Sequence, residues 1–248
     1  MSFQFTVSPD FTPDHLSGWY IFNTWLQKQT GIAIHLEMYN DFQGQRDAIQ
    51  ADTVDLIYAN PFDAAMLVRE KGFLPLVKAE GAADEALIVV NADSAINDVA
   101  DLKPGTRVAY TEDPDVRLMG MIMLEPGDLN NNNIVPVLAD NYVLVAKHLL
   151  KVEADVGIFL AGAYDDLSAM VKNQLKVLVR SQISVIHHAL MIGPRLQERR
   201  EDIQNLLVEM SNDDKGRGVL QSLGFTVWQK VDNEEMEFMI DLMDTLNT

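Results

Sequence analysis

An alternation of short apolar strands with amphipathic helices runs through the first ninety residues and resumes after residue 105, and it constrains the fold more than any other feature of the chain. Residues 3–8 alternate like a strand. A loop through Ser8, Pro9, Asp10 and Pro13 leads into a helix ending at Gly31, with Trp19, Phe22, Trp25 and Leu26 spaced for one apolar face. Residues 32–39 read as a second strand, Asp41 as the N-cap of a helix to Ala51, and residues 54–60 as a buried strand. Pro61 stands where a first-turn helical proline belongs, with a helix expected over 62–70. Strands and helices in this order build parallel or mixed sheets wrapped by helices.

After a strand at 85–91 and the segment DVADL, the alternation restarts. Strands are expected at 107–110, 134–138 and 155–160, and helices at 115–125, 142–152 and 165–175. Residues 176–192 are strand-rich and carry the chain back. The remainder is mostly helical and closes on 233–246, where Met236, Met239, Ile240, Met243 and Leu246 form an apolar stripe opposite a series of acidic residues. The layout is that of a two-lobed clamp: residues 1–90 begin the first lobe, 91–186 form the second, and 187–248 return to the first.

Composition excludes several function classes. The 248 residues contain no cysteine, which removes disulfides, thiolate metal sites and thiol chemistry together. A net charge of −18, spread as −7, −5 and −6 over the three segments, opposes binding to a phosphate backbone, so no nucleic-acid partner is expected. No apolar run of eighteen residues is present to span a membrane. The start of the chain shows no leader-like basic and apolar stretch.

Catalytic signatures are missing: there is no GxSxG, HExxH, Walker or GxGxxG motif. His187 and His188 point to opposite faces of a strand and make a poor metal pair, so no metal and no cofactor are expected. Glu112, Asp113 and Asp115 around Pro114 are explained by helix capping and the helix dipole. Ligand groups in open α/β sheets come from loops at the carboxyl ends of strands. Those loops, 8–12, 39–42, 58–62, 110–117, 140–142 and 160–164, are rich in aromatics and amides, which suits a small organic ligand.

The runs VDLIYANPFDAAML (54–67), DSAINDVADLKPGTRVAY (93–110), DPDVRLMG (113–120) and EADVGIFLAGAYDDL (153–167) resemble the phosphate/phosphonate-binding component of ABC transporters over about residues 1–195. The resemblance implies a type II periplasmic binding protein fold, two lobes each with a central mixed sheet flanked by helices and joined by a two-strand hinge. It implies a small molecule captured between the lobes, delivery to a transporter permease or a sensor protein, a periplasmic or extracytoplasmic location, and no catalysis. The family's hydroxyl run after Asp-Pro-x is here Val116, Arg117 and Leu118; its Ser-His pair is Asn141 and Tyr142. Its acidic residue after the following strand is Leu160, its Asp-Tyr is Asp41 and Phe42, and its Gly-Pro is Asn60 and Pro61.

With the hydroxyl donors gone, a solute other than a standard phosphonate is expected. The residues expected to line its site are Ser8, Phe42, Tyr58, Asn60, Tyr110, Asp115, Arg117, Tyr142 and Phe159. Ser8 and Asn60 would supply hydrogen bonds, Arg117 would meet an anionic group, and the aromatics would form walls. Two alternatives stand beside this reading: a cytoplasmic enzyme on the same fold, of the kind that makes cofactor precursors, and an interaction module with a degenerate cleft.

Overall fold

In the computed structural model, which describes residues 2–10 and 15–246, strands and helices follow one another in the expected order. Strand β1 (Phe3–Val7) is followed by helix α1 (Leu16–Thr30), which Gly31 ends in the left-handed conformation, φ 70°. Only a residue without a Cβ adopts that conformation at little cost. Strand β2 (Ile34–Glu37), helix α2 (Phe42–Gln50), strand β3 (Leu56–Ala59) and strand β4 (Leu74–Ala79) complete the first stretch. Asp41 caps α2 as expected, its carboxylate accepting the Gly44 N–H at 2.7 Å. Pro13, expected at the entry to α1, lies outside the described residues.

The second stretch contains strand β5 (Ala86–Asn91), strand β6 (Arg107–Tyr110), helix α3 (Pro114–Met123), strand β7 (Val135–Leu138) and helix α4 (Tyr142–Leu150). Strand β8 (Val156–Leu160), short helices α5 (Ala161–Asp165) and α6 (Ala169–Lys172), and strand β9 (Leu175–Arg180) follow. The return brings strand β10 (Ala189–Ile192), helices α7 (Arg200–Val208) and α8 (Asp214–Ser222), strand β11 (Trp228–Lys230) and helix α9 (Asn233–Leu246).

These elements form two compact units, one of Met1–Ala82 and His187–Leu242, the other of Ala83–Ile186 and Met243–Thr248. The first holds a six-stranded mixed sheet in the order β11-β4-β10-β3-β1-β2. There β1 is parallel to β2 and β3, while β10 runs antiparallel to both β3 and β4. Side-chain alternation in β3 divides the core between the two faces of this sheet. Leu56 and Tyr58 pack with Phe5, Trp19, Phe22 and Trp228 under α1, α7 and α8; Ile57 and Ala59 pack with Ile49, Met236, Met239 and Ile240 under α2 and α9.

The second unit holds a five-stranded mixed sheet, β7-β6-β8-β5-β9, with β6 parallel to β7 and β8 and β5 antiparallel to β8 and β9. Where the chain enters and leaves this unit, the two segments are tied together. The Asp84 N–H donates to the Ile186 carbonyl at 2.7 Å, and the Glu85 carboxylate accepts from Ser181 Oγ, the Ile183 N–H and the Ser184 N–H. No helix among the described residues is long and apolar enough to cross a membrane.

Two local expectations are corrected and one strand is added. The helix expected at 62–70 is a 3-10 turn, Pro61–Asp63, followed by a wide turn, Met66–Glu70, in which the Lys71 N–H reaches back five residues to the Met66 carbonyl. The helix expected at 165–175 is broken because Ser168 Oγ accepts the Val171 N–H and starts a new helix, after which Leu175 pairs with Asn91 in the sheet. Strand β4 was not legible because Pro75 argues against a central strand; the sheet accommodates it beside a register shift opposite Leu190 and Met191.

Candidate functional site

In the first unit, the polar residues that gather at the carboxyl ends of β1 and β3 and the start of β10 come from four separate stretches of chain. Ser8 follows β1, and its hydroxyl accepts the Asn60 N–H at 2.8 Å and meets Gln45 Oε1 at 3.5 Å. Gln45 in turn donates to Thr6 Oγ1 at 3.2 Å and to the Val7 carbonyl at 2.9 Å. Asn60 is fully buried and uses its side chain twice: Oδ1 accepts the Phe62 N–H at 2.8 Å, and Nδ2 donates to Asp10 Oδ2 at 2.5 Å. His188 Nε2 lies 2.9 Å from the same Asp10 oxygen, and its ring stacks on Tyr58 with centroids 5.4 Å apart.

The electrostatics of this cluster follow from its burial. Desolvation pushes the Asp10 carboxyl up, but the His188 charge and the hydrogen bonds from His188 and Asn60 outweigh it, and the net effect is a lowered pKa. Asp63, also buried, moves the other way: desolvation is its largest influence and raises it, offset only in part by Arg46, with Asp10 adding to the rise. Arg46 grips Asp63 with two hydrogen bonds, 2.7 Å and 3.2 Å, and its guanidinium lies 5.3 Å from the Phe42 ring centre and 5.4 Å from that of Phe62.

In the second unit, Tyr110 closes β6 and the chain turns at Thr111 into α3. Asp113 stands at the N-cap position, yet its side chain makes no cap hydrogen bond; instead its Oδ2 accepts the Tyr142 hydroxyl at 2.7 Å. This corrects the reading of Asp113 as a capping residue. Asp115, in the first turn of α3, is fully buried. Burial is the main reason the Tyr142 hydroxyl sits well above the ordinary phenol range; the Asp113 charge adds to it, as does Asp115, while a hydrogen bond with Thr111 opposes it. The Tyr142 ring stacks on Phe159, centroids 6.0 Å apart, and Phe159 is fully buried against Tyr164 in the core of the unit.

Arg117 is exposed. Its guanidinium lies over the Tyr110 ring at 5.0 Å, and its Nη2 donates to Asn131 Oδ1 at 3.2 Å. Val116 is buried, and Asn141 spends its side-chain oxygen on capping α4 through the Leu144 N–H.

Of the nine residues expected from sequence, Ser8, Tyr58 and Asn60 fall in the first cluster, with Phe42 beside it through Arg46. Tyr110 and Arg117 form a stacked pair in the second unit, and Asp115, Tyr142 and Phe159 belong with the α3 and α4 starts. Asp10 fell within the expected ligand loop 8–12 without being singled out, and Gln45, Arg46, Asp63 and His188 were not named as site residues. No spacing connects positions 10, 60 and 188, because only the sheet order brings β1, β3 and β10 together. Phe11 and Thr12, also expected in a ligand loop, lie outside the described residues.

Comparison with known proteins adds the following. The family described as the phosphonate ABC transporter periplasmic substrate-binding protein matches residues 5–236. No curated protein is matched. Among solved structures, a methylphosphonate complex from Prochlorococcus marinus is similar with TM-score 0.84 at 11% identity, over 99% of this chain and 98% of that one. A binding protein component of an ABC phosphonate transporter from Pseudomonas aeruginosa is similar with TM-score 0.77 at 16% identity, over 100% and 89%. The periplasmic aliphatic sulphonate binding protein of Escherichia coli gives 0.67 at 14% identity, over 99% and 91%.

Proposed function

We propose, from the premise that this chain belongs to the phosphonate periplasmic substrate-binding proteins of ABC transporters, that it is a receptor for a small solute other than a standard phosphonate. Solute-binding receptor is the function the family carries; the departure in solute is read from the residues. The observation that supports it is the pair of buried carboxylates, Asp113 and Asp115, at the start of α3. The resemblance places hydroxyl donors for an oxyanion just after this point, where Val116, Arg117 and Leu118 stand instead. Arg117 is exposed and engaged by Tyr110 and Asn131, so it does not offset the acids.

Magnitudes favour this reading. Two unit charges of like sign about 4 Å apart repel by about 4 kcal/mol at an effective dielectric constant of about 20. Each absent neutral donor removes about 0.5–1.5 kcal/mol of net hydrogen bonding, and more where the acceptor is charged. Together these terms correspond to several powers of ten in affinity for a dianion.

In this reading the solute-facing residues of the first unit are Ser8, Phe42, Tyr58 and Asn60, and those of the second are Tyr110, Asp115, Arg117 and Tyr142, with the buried Phe159 backing the Tyr142 ring. The receptor works in the periplasm, passes its solute to a transporter permease, and performs no reaction on it. A thermal-shift panel of methylphosphonate, phosphate, alkanesulfonates, carboxylates, neutral polyols and amines tests it. A true solute at 100 times its Kd stabilises the fold by about 2.7 kcal/mol. The expected result is such a shift from a member of the neutral or amine sets and none from the phosphonates; stabilisation by methylphosphonate alone contradicts the proposal.

A further inference from the structure

The Asp10 carboxylate has one oxygen in use and one idle. Oδ2 accepts from Asn60 Nδ2 and lies 2.9 Å from His188 Nε2, whereas Oδ1 is buried and no described residue hydrogen-bonds to it. The side chain as a whole is only 4% exposed. A buried acceptor without a donor is costly, the more so when it carries charge, so native structures rarely leave one unused.

The surroundings define what would fill it. Asp10 is held ionised, since the pull of His188 and Asn60 outweighs desolvation. Oδ1 is therefore an anionic acceptor that repels oxyanions and selects donors. Asn60 directs its Nδ2 to Asp10 Oδ2 and its Oδ1 to the Phe62 N–H, not to Asp10 Oδ1. Arg46, a cation of the same cluster besides His188, is committed to Asp63 by two hydrogen bonds. Beside the carboxylate, the Tyr58 ring offers a rigid aromatic wall: it stacks on His188 and is wedged against Trp19, Phe225 and Trp228. A charged N–H donor carrying an alkyl chain matches that combination.

We propose that Asp10 Oδ1 anchors the ammonium group of a primary alkylamine, which makes the solute of this receptor an organic cation. The proposal rests on the receptor reading above and names the solute class for it. A primary ammonium supplies N–H donors and the positive charge together. A quaternary ammonium supplies charge without a donor, and an alcohol supplies a donor without charge, so neither completes the carboxylate.

Isothermal titration of the full chain with 1,4-diaminobutane, 1,5-diaminopentane and n-propylammonium tests it, with tetramethylammonium, 1,4-butanediol, calcium chloride, magnesium chloride and methylphosphonate as comparators. The expected result is saturable binding of at least one primary ammonium at one site per chain. Tetramethylammonium and butanediol should bind at least ten-fold more weakly, and Asp10→Asn should weaken the ammonium by at least ten-fold with the far-ultraviolet circular dichroism unchanged. Should Asp10→Asn fail to fold, the ammonium, tetramethylammonium and diol series on the unaltered chain decides alone. Absence of ammonium binding, equal binding of the comparators, or a response to calcium or magnesium only overturns the ammonium anchor. Binding of butanediol without any ammonium response overturns the anchor and leaves the receptor reading standing, whereas binding of methylphosphonate without any ammonium response overturns both.

Discussion

His187 and His188 are neighbours in sequence and serve different chemistry. The His187 ring is 3% exposed, its Nδ1 lies near the His188 carbonyl, and its Nε2 stands 3.5 Å from Glu235, a carboxylate already held by Lys78. Burial, followed by the Lys78 charge, lowers the His187 pKa; Glu235 opposes this and His188 adds to it. In the unfolded chain the imidazole takes up its proton near pH 6.5, while the folded one resists it. The unfolded state then binds more protons in that range, so stability falls as pH drops from 7.5 towards 5.5. His187→Leu is expected to flatten that slope relative to the unaltered protein, as read from urea midpoints across the range; an unchanged slope would remove His187 as its source. The sequence reading set both in a strand, but they precede β10, which begins at Ala189, and it is the loop before the strand that parts the two rings. That reading does not reach Asp10, because the partner of a lone acidic residue 178 positions away is set by strand order and not by spacing.

Elements were legible where the hydrophobic period was long and the caps were ordinary. Strand β6 at residues 107–110 and helix α9 at residues 233–246 match the sequence reading at both ends. Legibility failed where one residue overrode the period, as Ser168 does in splitting α5 from α6 and Pro75 does in disguising β4. Packing between elements was not legible at all. Gly18 on α1 faces α8 so closely that a Cβ there would lie 2.1 Å from the Ser222 carbonyl oxygen. The contact is with backbone, which cannot rotate aside. Gly18→Ala is therefore expected to destabilise the protein by at least the about 1–3 kcal/mol typical of overpacking, despite the better helix propensity of alanine. Chemical denaturation checks it, and a neutral or stabilising result would mean that α1 and α8 can move apart freely.

At the scale of the whole molecule, the acidity that the sequence spreads over every segment acquires a local meaning. Buried carboxylates stand at the strand ends of both units: Asp10 and Asp63 in one, Asp113 and Asp115 in the other. The chain belongs to the phosphonate substrate-binding family, and in the reading proposed above the charge at these positions disfavours a dianionic solute. Membership of the family was legible from the resemblance of four sequence runs, whereas glycines, prolines and apolar alternation marked only the strand-helix units. In the proposal made above the solute was less legible, since it turns on the Asp10 oxygen left without a partner once the fold has used the other. The most direct test is calorimetric titration of methylphosphonate into the full chain at physiological salt. The account predicts a Kd no tighter than about 1 mM, a binding free energy of about −4 kcal/mol. A Kd below about 1 μM, about −8 kcal/mol, would contradict it.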